Sequence, residues 1–174
     1  WALSFKAGAL KHLKKEVESN YLFSIVFDKC DTRKYVASKD FRVTSDSSFN
    51  ASLALCKNND EKAAFWMLAA FKNRELHFNA MRQIYSISPK SKYLELLLSR
   101  EINLTEVQLF PDTYFYRTSH RSYLPQKESW FVPIHHDELL KLVTGYAQAK
   151  STLNPHLWFL SAGYLSALLG NNNE

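Results

Sequence analysis

Glycine and proline are scarce in this chain of 174 residues, four and five respectively. So little turn material cannot punctuate the many short strands of an all-β architecture. Cysteine occurs only as Cys30 and Cys56, and neither belongs to a C-x-x-C pair or a Cys/His cluster at metal-ligand spacing. A disulfide framework is thereby disfavoured, and a reduced, cytoplasmic compartment is the simpler expectation. There is no run of about 18 apolar residues and no three-part signal peptide, so the chain reads as soluble. It opens on Trp1 rather than Met, as an excised domain would, and membrane spans upstream are compatible with that. Neither G-x-x-x-x-G-K-[ST] nor G-x-G-x-x-G appears, so no phosphate cradle is offered and nucleotide hydrolysis is not expected.

Apolar residues make up 46% of the chain and charged residues 22%, proportions that allow a buried core and argue against disorder. The length fits one domain, residues 1–174, with no internal repeat or low-complexity linker to divide it. Lysine and arginine number 22 against 17 aspartates and glutamates, a formal charge of +5. Such a balance points to an acidic partner: nucleic acid, anionic lipid or an acidic peptide.

Apolar spacing predicts a succession of helices. Phe5, Leu10, Leu13 and Val17 suggest an amphipathic helix over 5–17, with Lys11, Lys14 and Lys15 on one basic face. The run Tyr21–Phe27 fits either a strand or a buried helical turn. A short helix is expected near Thr32–Ser38, then one capped by Ser47 or Ser48 and running to Leu55. Asp60 is the expected cap of an Ala-rich core helix, Glu61–Phe71. Another starts at Asn73, with Leu76, Met81, Ile84 and Tyr85 inward, and stops before Pro89. Ser91–Arg100 and the stretch EINLTEVQLF read as two helices, the second halted at Pro111, and Asp112 caps one to about Ser122. After a connection through Pro125 and Pro133, Asp137–Ala149 forms an amphipathic helix. The last begins with Pro155 at its first position and ends at Gly170. The expected fold is all-α, a single compact helical domain of about eight helices.

Chemistry-bearing clusters are few. His135-His136-Asp137-Glu138 has metal-ligand residue types, but adjacent histidines on a helix diverge by about 100°; a helix start with acids in its first turn is the better reading. Ser119-His120 lacks a matched carboxylate. Arg117 and Arg121, at i and i+4, suit an anion-binding face, although a solvated charged face is the commoner reading of one such pair. Trp66, Trp130 and Trp158 lie among Leu and Ala as core residues do. The region Leu94–Arg121 also permits a helix-turn-helix reading, which makes a DNA-binding transcriptional or plasmid regulator the alternative function.

Several stretches, in order, resemble the cytoplasmic domain of the DotM (IcmP) and TrbA family of type IV secretion coupling-complex subunits. WALSFKAGALKHLKKE is similar to the family's entry segment, EKAAFWMLAAFKNRELHFNAMRQIY to its central helix pair, and SYLPQKESWFVPIHHDELLKLVTGYAQ to a connection and following helix, where Asp137 and Gly145 match. WFLSAGYLSALLG resembles the closing helix through Ala162, Gly163 and Ser166-Ala167. Arg33-Lys34 stands where the family carries an arginine pair, and Phe49-Asn50 where it carries tryptophan and arginine.

The resemblance implies a non-enzymatic adaptor of a Dot/Icm or IncI-type conjugation system, without cofactor or metal. It would be anchored in the bacterial inner membrane by an upstream segment and partnered with a DotL/TrbC-like coupling ATPase on the cytoplasmic face. It would recruit substrates whose secretion signals are acidic. Guanidinium and ammonium groups bind carboxylates and steer acidic peptides, so the residues expected to hold acidic segments are Lys11, Lys14, Lys15, Arg33, Lys34, Arg117 and Arg121.

Overall fold

The computed structural model describes residues 1–73, 76–110 and 135–170. Among these residues the chain is all-helical, as expected, with nine α-helices, one short 3-10 turn and no strand. The helices are α1 (Ala2–His12), α2 (Glu16–Lys29), α3 (Lys34–Asp40, entered through the 3-10 turn Asp31–Arg33), α4 (Asp46–Ala54), α5 (Asn59–Lys72), α6 (His77–Ile87), α7 (Lys92–Leu109), α8 (His136–Ala149) and α9 (Pro155–Leu168). The chain gathers into two compact units, Trp1–Tyr93 and Leu94–Glu174. The segment expected to hold a helix from Asp112 to Ser122, with Arg117, Arg121, Ser119, His120 and Trp130, lies outside the described residues.

The basic helix expected over 5–17 is two helices. At Lys14 the backbone turns left-handed, φ 59°. The Lys15 N–H then reaches the Leu10 carbonyl at 2.9 Å and the Lys14 N–H the Lys11 carbonyl at 3.0 Å, the two bonds of a Schellman ending. Lys14 thus occupies the position glycine usually fills, and Lys11, Lys14 and Lys15 do not share one helical face. Beyond the corner, Glu16 and Glu18 sit in the first turn of α2 and Lys29 in its last, complementing the helix dipole. Tyr21–Phe27 is wholly inside α2, and Phe23, Val26 and Phe27 are buried at helical spacing.

Caps define the next two helices, each earlier than the sequence suggests. Ser45, not Ser47 or Ser48, caps α4, and Ser48 returns a bond to it in a reciprocal capping box. Asn58, not Asp60, caps α5 by accepting the Glu61 N–H at 2.9 Å. In both cases a run of polar residues offers several capping side chains, and the one that accepts the N–H three residues on, that of Ser48 or Glu61, is the cap. Along α5, Ala63, Ala64, Phe65, Met67, Leu68, Ala69 and Ala70 are buried, which makes it the core helix foreseen. It packs against α2, α3 and α6; four alanines let those neighbours approach closely. On α6, Ala80, Met81 and Ile84 are fully buried.

Two expected helices at 91–110 are one. The continuous α7 buries Tyr93, Leu94, Leu97, Leu98, Glu101 and Thr105, a single stripe at steps of three and four. Thr105 donates its hydroxyl to the Glu101 carbonyl at 2.8 Å, satisfying its buried oxygen within the helix, and no turn interrupts residues 92–109. In the second unit α8 and α9 pack together. Tyr146 meets the fully buried Trp158 edge-on at 5.4 Å, and Gly170 closes α9 with φ +72°, as expected of a C-terminal glycine.

Within the first unit, Asp28 gathers three donors. Tyr93 donates its hydroxyl at 2.7 Å, and Lys92 and Lys29 stand at 2.9 and 2.7 Å. Its side chain is only 7% exposed. Burial pulls its pKa upward, but these three partners outweigh that and hold it at about 2. The ammonium groups are solvated, so the buried Tyr93 hydroxyl is the partner that matters most for stability.

Two outcomes follow for stability. Lys14→Gly should raise the unfolding free energy by about 0.5–1 kcal/mol, because glycine relieves the left-handed strain, measured by urea titration. Asp28→Asn should lower it by about 1.5–3 kcal/mol, the worth of a hydrogen bond to a charged group. In the unmodified chain the Asp28 contribution, present above the ordinary carboxylate pKa, should disappear as pH falls from about 4 through about 2. The variant should lack that segment of pH dependence.

Candidate functional site

Between α3 and α4 runs a five-residue connector, Phe41–Ser45, that cannot satisfy its backbone within a helix. Asn20 of α2, only 2% exposed, solves this: its Nδ2 donates to the Arg42 carbonyl at 2.7 Å, and its Oδ1 accepts the Arg42 N–H at 3.0 Å. One turn earlier, Glu16 accepts the Thr44 N–H at 2.9 Å, the Thr44 hydroxyl at 2.8 Å and the Ser48 hydroxyl at 2.9 Å. Burial raises the Glu16 pKa, yet the bonds from Thr44 and Ser48 and the charge of Arg42 lower it further, for a net shift below its ordinary value. With its main chain pinned in this way, the connector carries the Arg42 side chain outward.

The connector forms one wall of an open cleft of about 760 Å³ in the first unit. Among the described residues Lys11, Lys39, Arg42 and Lys72 line it, together with the acid Asp46. Each of these side chains is exposed. Lys11 pairs with Asp40 at 2.8 Å, and Lys72 donates to the Lys39 carbonyl at 3.3 Å. The floor is apolar: Phe49 and Trp66, both half-buried, stand 4.8 Å apart between ring centroids, and Phe49 in turn meets the fully buried Phe65 edge-on at 5.3 Å. Asn50 and Asn79 add amide side chains.

Of the five described residues among the seven expected to hold acidic segments, Lys11 alone lines this cleft. Lys14 lines a smaller hollow of about 220 Å³ with Lys11 and Arg42, where Glu16 and Asp40 offset two of the three charges. Lys15 precedes the first turn of α2. The Arg33 guanidinium lies over the Trp1 ring at 3.8 Å and is 5.7 Å from that of Phe5, a cation–π stack. Lys34 is paired with Asp31, so the Arg33-Lys34 step is occupied by local partners. Arg117 and Arg121 lie outside the described residues. Lys39, Arg42 and Lys72 were not singled out by sequence: Lys72 lies 33 residues from Lys39, and only the packing of α3 on α5 unites them. Trp66, expected as core, is half-exposed at the cleft, whereas Trp158 is fully buried.

The His135–Glu138 cluster adopts the helix-start geometry, with Asp137 and Glu138 in the first turn of α8. Among the described residues no group of three or more His, Cys, Asp or Glu side chains gathers at metal-binding distance, and no helix is long and apolar enough to cross a membrane. Compared with family models, curated proteins and solved structures, the chain has no match.

Removing the amide that pins the connector tests this construction. Asn20→Ala should cost about 2 kcal/mol, because it strands a backbone N–H and a C=O, and hydrogen exchange at the Arg42 amide should rise well beyond that of the α5 amides. Equal protection in both chains would show that the connector holds its place without Asn20.

Proposed function

We propose that this chain is a non-catalytic adaptor that holds acidic segments of partner proteins in the cleft between α3, α4 and α5. In keeping with its resemblance to DotM/TrbA subunits, the adaptor serves substrate recruitment in a type IV secretion or conjugative coupling complex. Its neighbours there are a DotL/TrbC-like ATPase and the other coupling subunits, at the cytoplasmic face of a bacterial inner membrane. The observation that carries the binding role is the charge of the cleft: among the described residues four cations line it with Asp46, and of the four Lys11 holds Asp40 as an exposed ion pair. Lysines and arginine so placed attract carboxylates over several ångströms and pair with them on contact. Among the described residues α7 is unbroken over Lys92–Leu109, so that stretch lacks the turn that a recognition helix there would need to stand at an angle to its support, and it does not support the DNA-binding alternative.

Fluorescence anisotropy with a labelled glutamate-rich peptide and with mixed-sequence duplex DNA, each across a salt series, separates the two. The peptide should bind, and the double variant Lys39→Gln/Arg42→Gln should weaken it by about tenfold or more, equivalent to at least about 1.4 kcal/mol, with the helical circular dichroism of the folded chain retained. Binding of DNA with a steep salt dependence, and none of the peptide, would replace this reading with the regulator.

A further inference from the structure

Charge alone does not account for the cleft's floor. Exposed lysines would serve an acidic partner on any convex surface, yet here they surround two half-buried aromatic rings, Phe49 and Trp66, in tilted contact at 4.8 Å. A solvated aromatic pair costs free energy unless something covers it, and a ring or branched aliphatic side chain gains both apolar burial and ring contact there. Asn50 and Asn79 at the same cleft each carry a donor and an acceptor, the complement of a peptide main chain rather than of a phosphate backbone, which offers acceptors only.

We infer that the ligand of this cleft is an extended acidic peptide bearing one apolar anchor, a phenylalanine or leucine flanked by glutamates or aspartates. The anchor seats on the Phe49–Trp66 pair, the flanking carboxylates meet Lys39, Arg42 and Lys72, and the asparagine amides pair with the peptide backbone. This rests on the acidic-segment reading above and adds to it a sequence requirement that charge does not supply. Asp46 at the same rim disfavours a uniformly polyanionic ligand and sets a limit on how many carboxylates the cleft accepts.

The test uses three peptides of equal length and charge, with Phe, Leu or Ser at the central position among glutamates, titrated into the unmodified chain at fixed salt. The Phe and Leu peptides should bind about tenfold or more tightly than the Ser peptide, a difference that burial of one apolar side chain supplies. The Phe peptide should also change the tryptophan emission, and Trp66→Phe, which keeps a ring on the floor, should remove that change while leaving binding in place. Equal binding of all three peptides would overturn the anchor and leave the acidic-segment reading standing. A preference for Phe or Leu whose emission change survives Trp66→Phe would place the anchor elsewhere and overturn the site. If no peptide binds while duplex DNA does, the acidic-segment reading fails and the anchor with it.

Discussion

One buried asparagine holds together the part of the molecule that has a shape capable of work. The pairing of the Asn20 amide with both backbone groups of Arg42 replaces the bonds that a helix or strand would have provided to the connector. A buried amide that meets both demands is stabilising, whereas one that met neither would cost a few kcal/mol. Glu16, four residues before it on the same face of α2, secures Thr44 and the start of α4. Two side chains one turn apart thus determine where α3 ends, where α4 begins, and that the space between them stays open. The corner at Lys14 belongs to the same arrangement, since it brings Glu16 and Asn20 into register by ending α1 and starting α2 within a few residues.

The hydrophobic side of this design is α5. Its alanines permit close packing by α2, α3 and α6, while Phe65, at the centre, takes the rings of Phe41 and Phe49 edge-on at 5.3 Å each. Phe41 is buried and Phe49 only half so, so the aromatic cluster runs from the core outward to Trp66. The floor of the cleft is therefore the outer edge of the core itself. Truncation of its deep members would unfold the unit before it altered a binding surface, which is why the half-exposed rings are the informative ones.

Helix content was legible in the sequence because it rests on local properties: scarce glycine, apolar spacing, and caps such as Pro155 and Gly170. The Ala-rich character of α5 sufficed to place it at the core. Boundaries were less legible where several polar residues compete for one role, as at Ser45 against Ser47 and Ser48, or Asn58 against Asp60. The break at Lys14 was hidden because lysine is a poor left-handed residue, and its Schellman bonds outweigh an unfavourable torsion that glycine would have avoided. The supposed break after Arg100 was the converse error: Asn103 and Thr105 are weak helix formers, but a threonine that bonds back to the carbonyl four residues earlier remains helical. The cleft was illegible for a different reason. Of its four cations only Lys11 falls in a visible cluster, while Lys39, Arg42 and Lys72 are single basic residues in unrelated segments, joined by packing alone.

Those lysines also have a plainer role, and magnitudes decide whether it exhausts them. Lys11, Lys39 and Lys72 each lie in the last turn of a helix, α1, α3 and α5, where a cation complements the partial negative charge of the dipole, roughly half an elementary charge per helix end. Three such ends therefore bring about one and a half negative charges to the cleft, and the start of α4, which Ser45 and Asp46 place at the rim, returns about half a positive charge. Against a net dipolar charge of about −1, the four cations of the described residues face Asp46 and the Asp40 carboxylate that Lys11 holds at 2.8 Å, a net of two positive charges. Helix ends thus absorb about one of these two net positive charges and leave about one facing solvent, partly screened beyond the Debye length of about 8 Å. Lys11 can exchange Asp40 for an incoming carboxylate at small cost, since an exposed ion pair is worth under about 1 kcal/mol. The excess arises because three helices end at one place, so a positive cleft is a consequence of the fold's own geometry before any partner is considered.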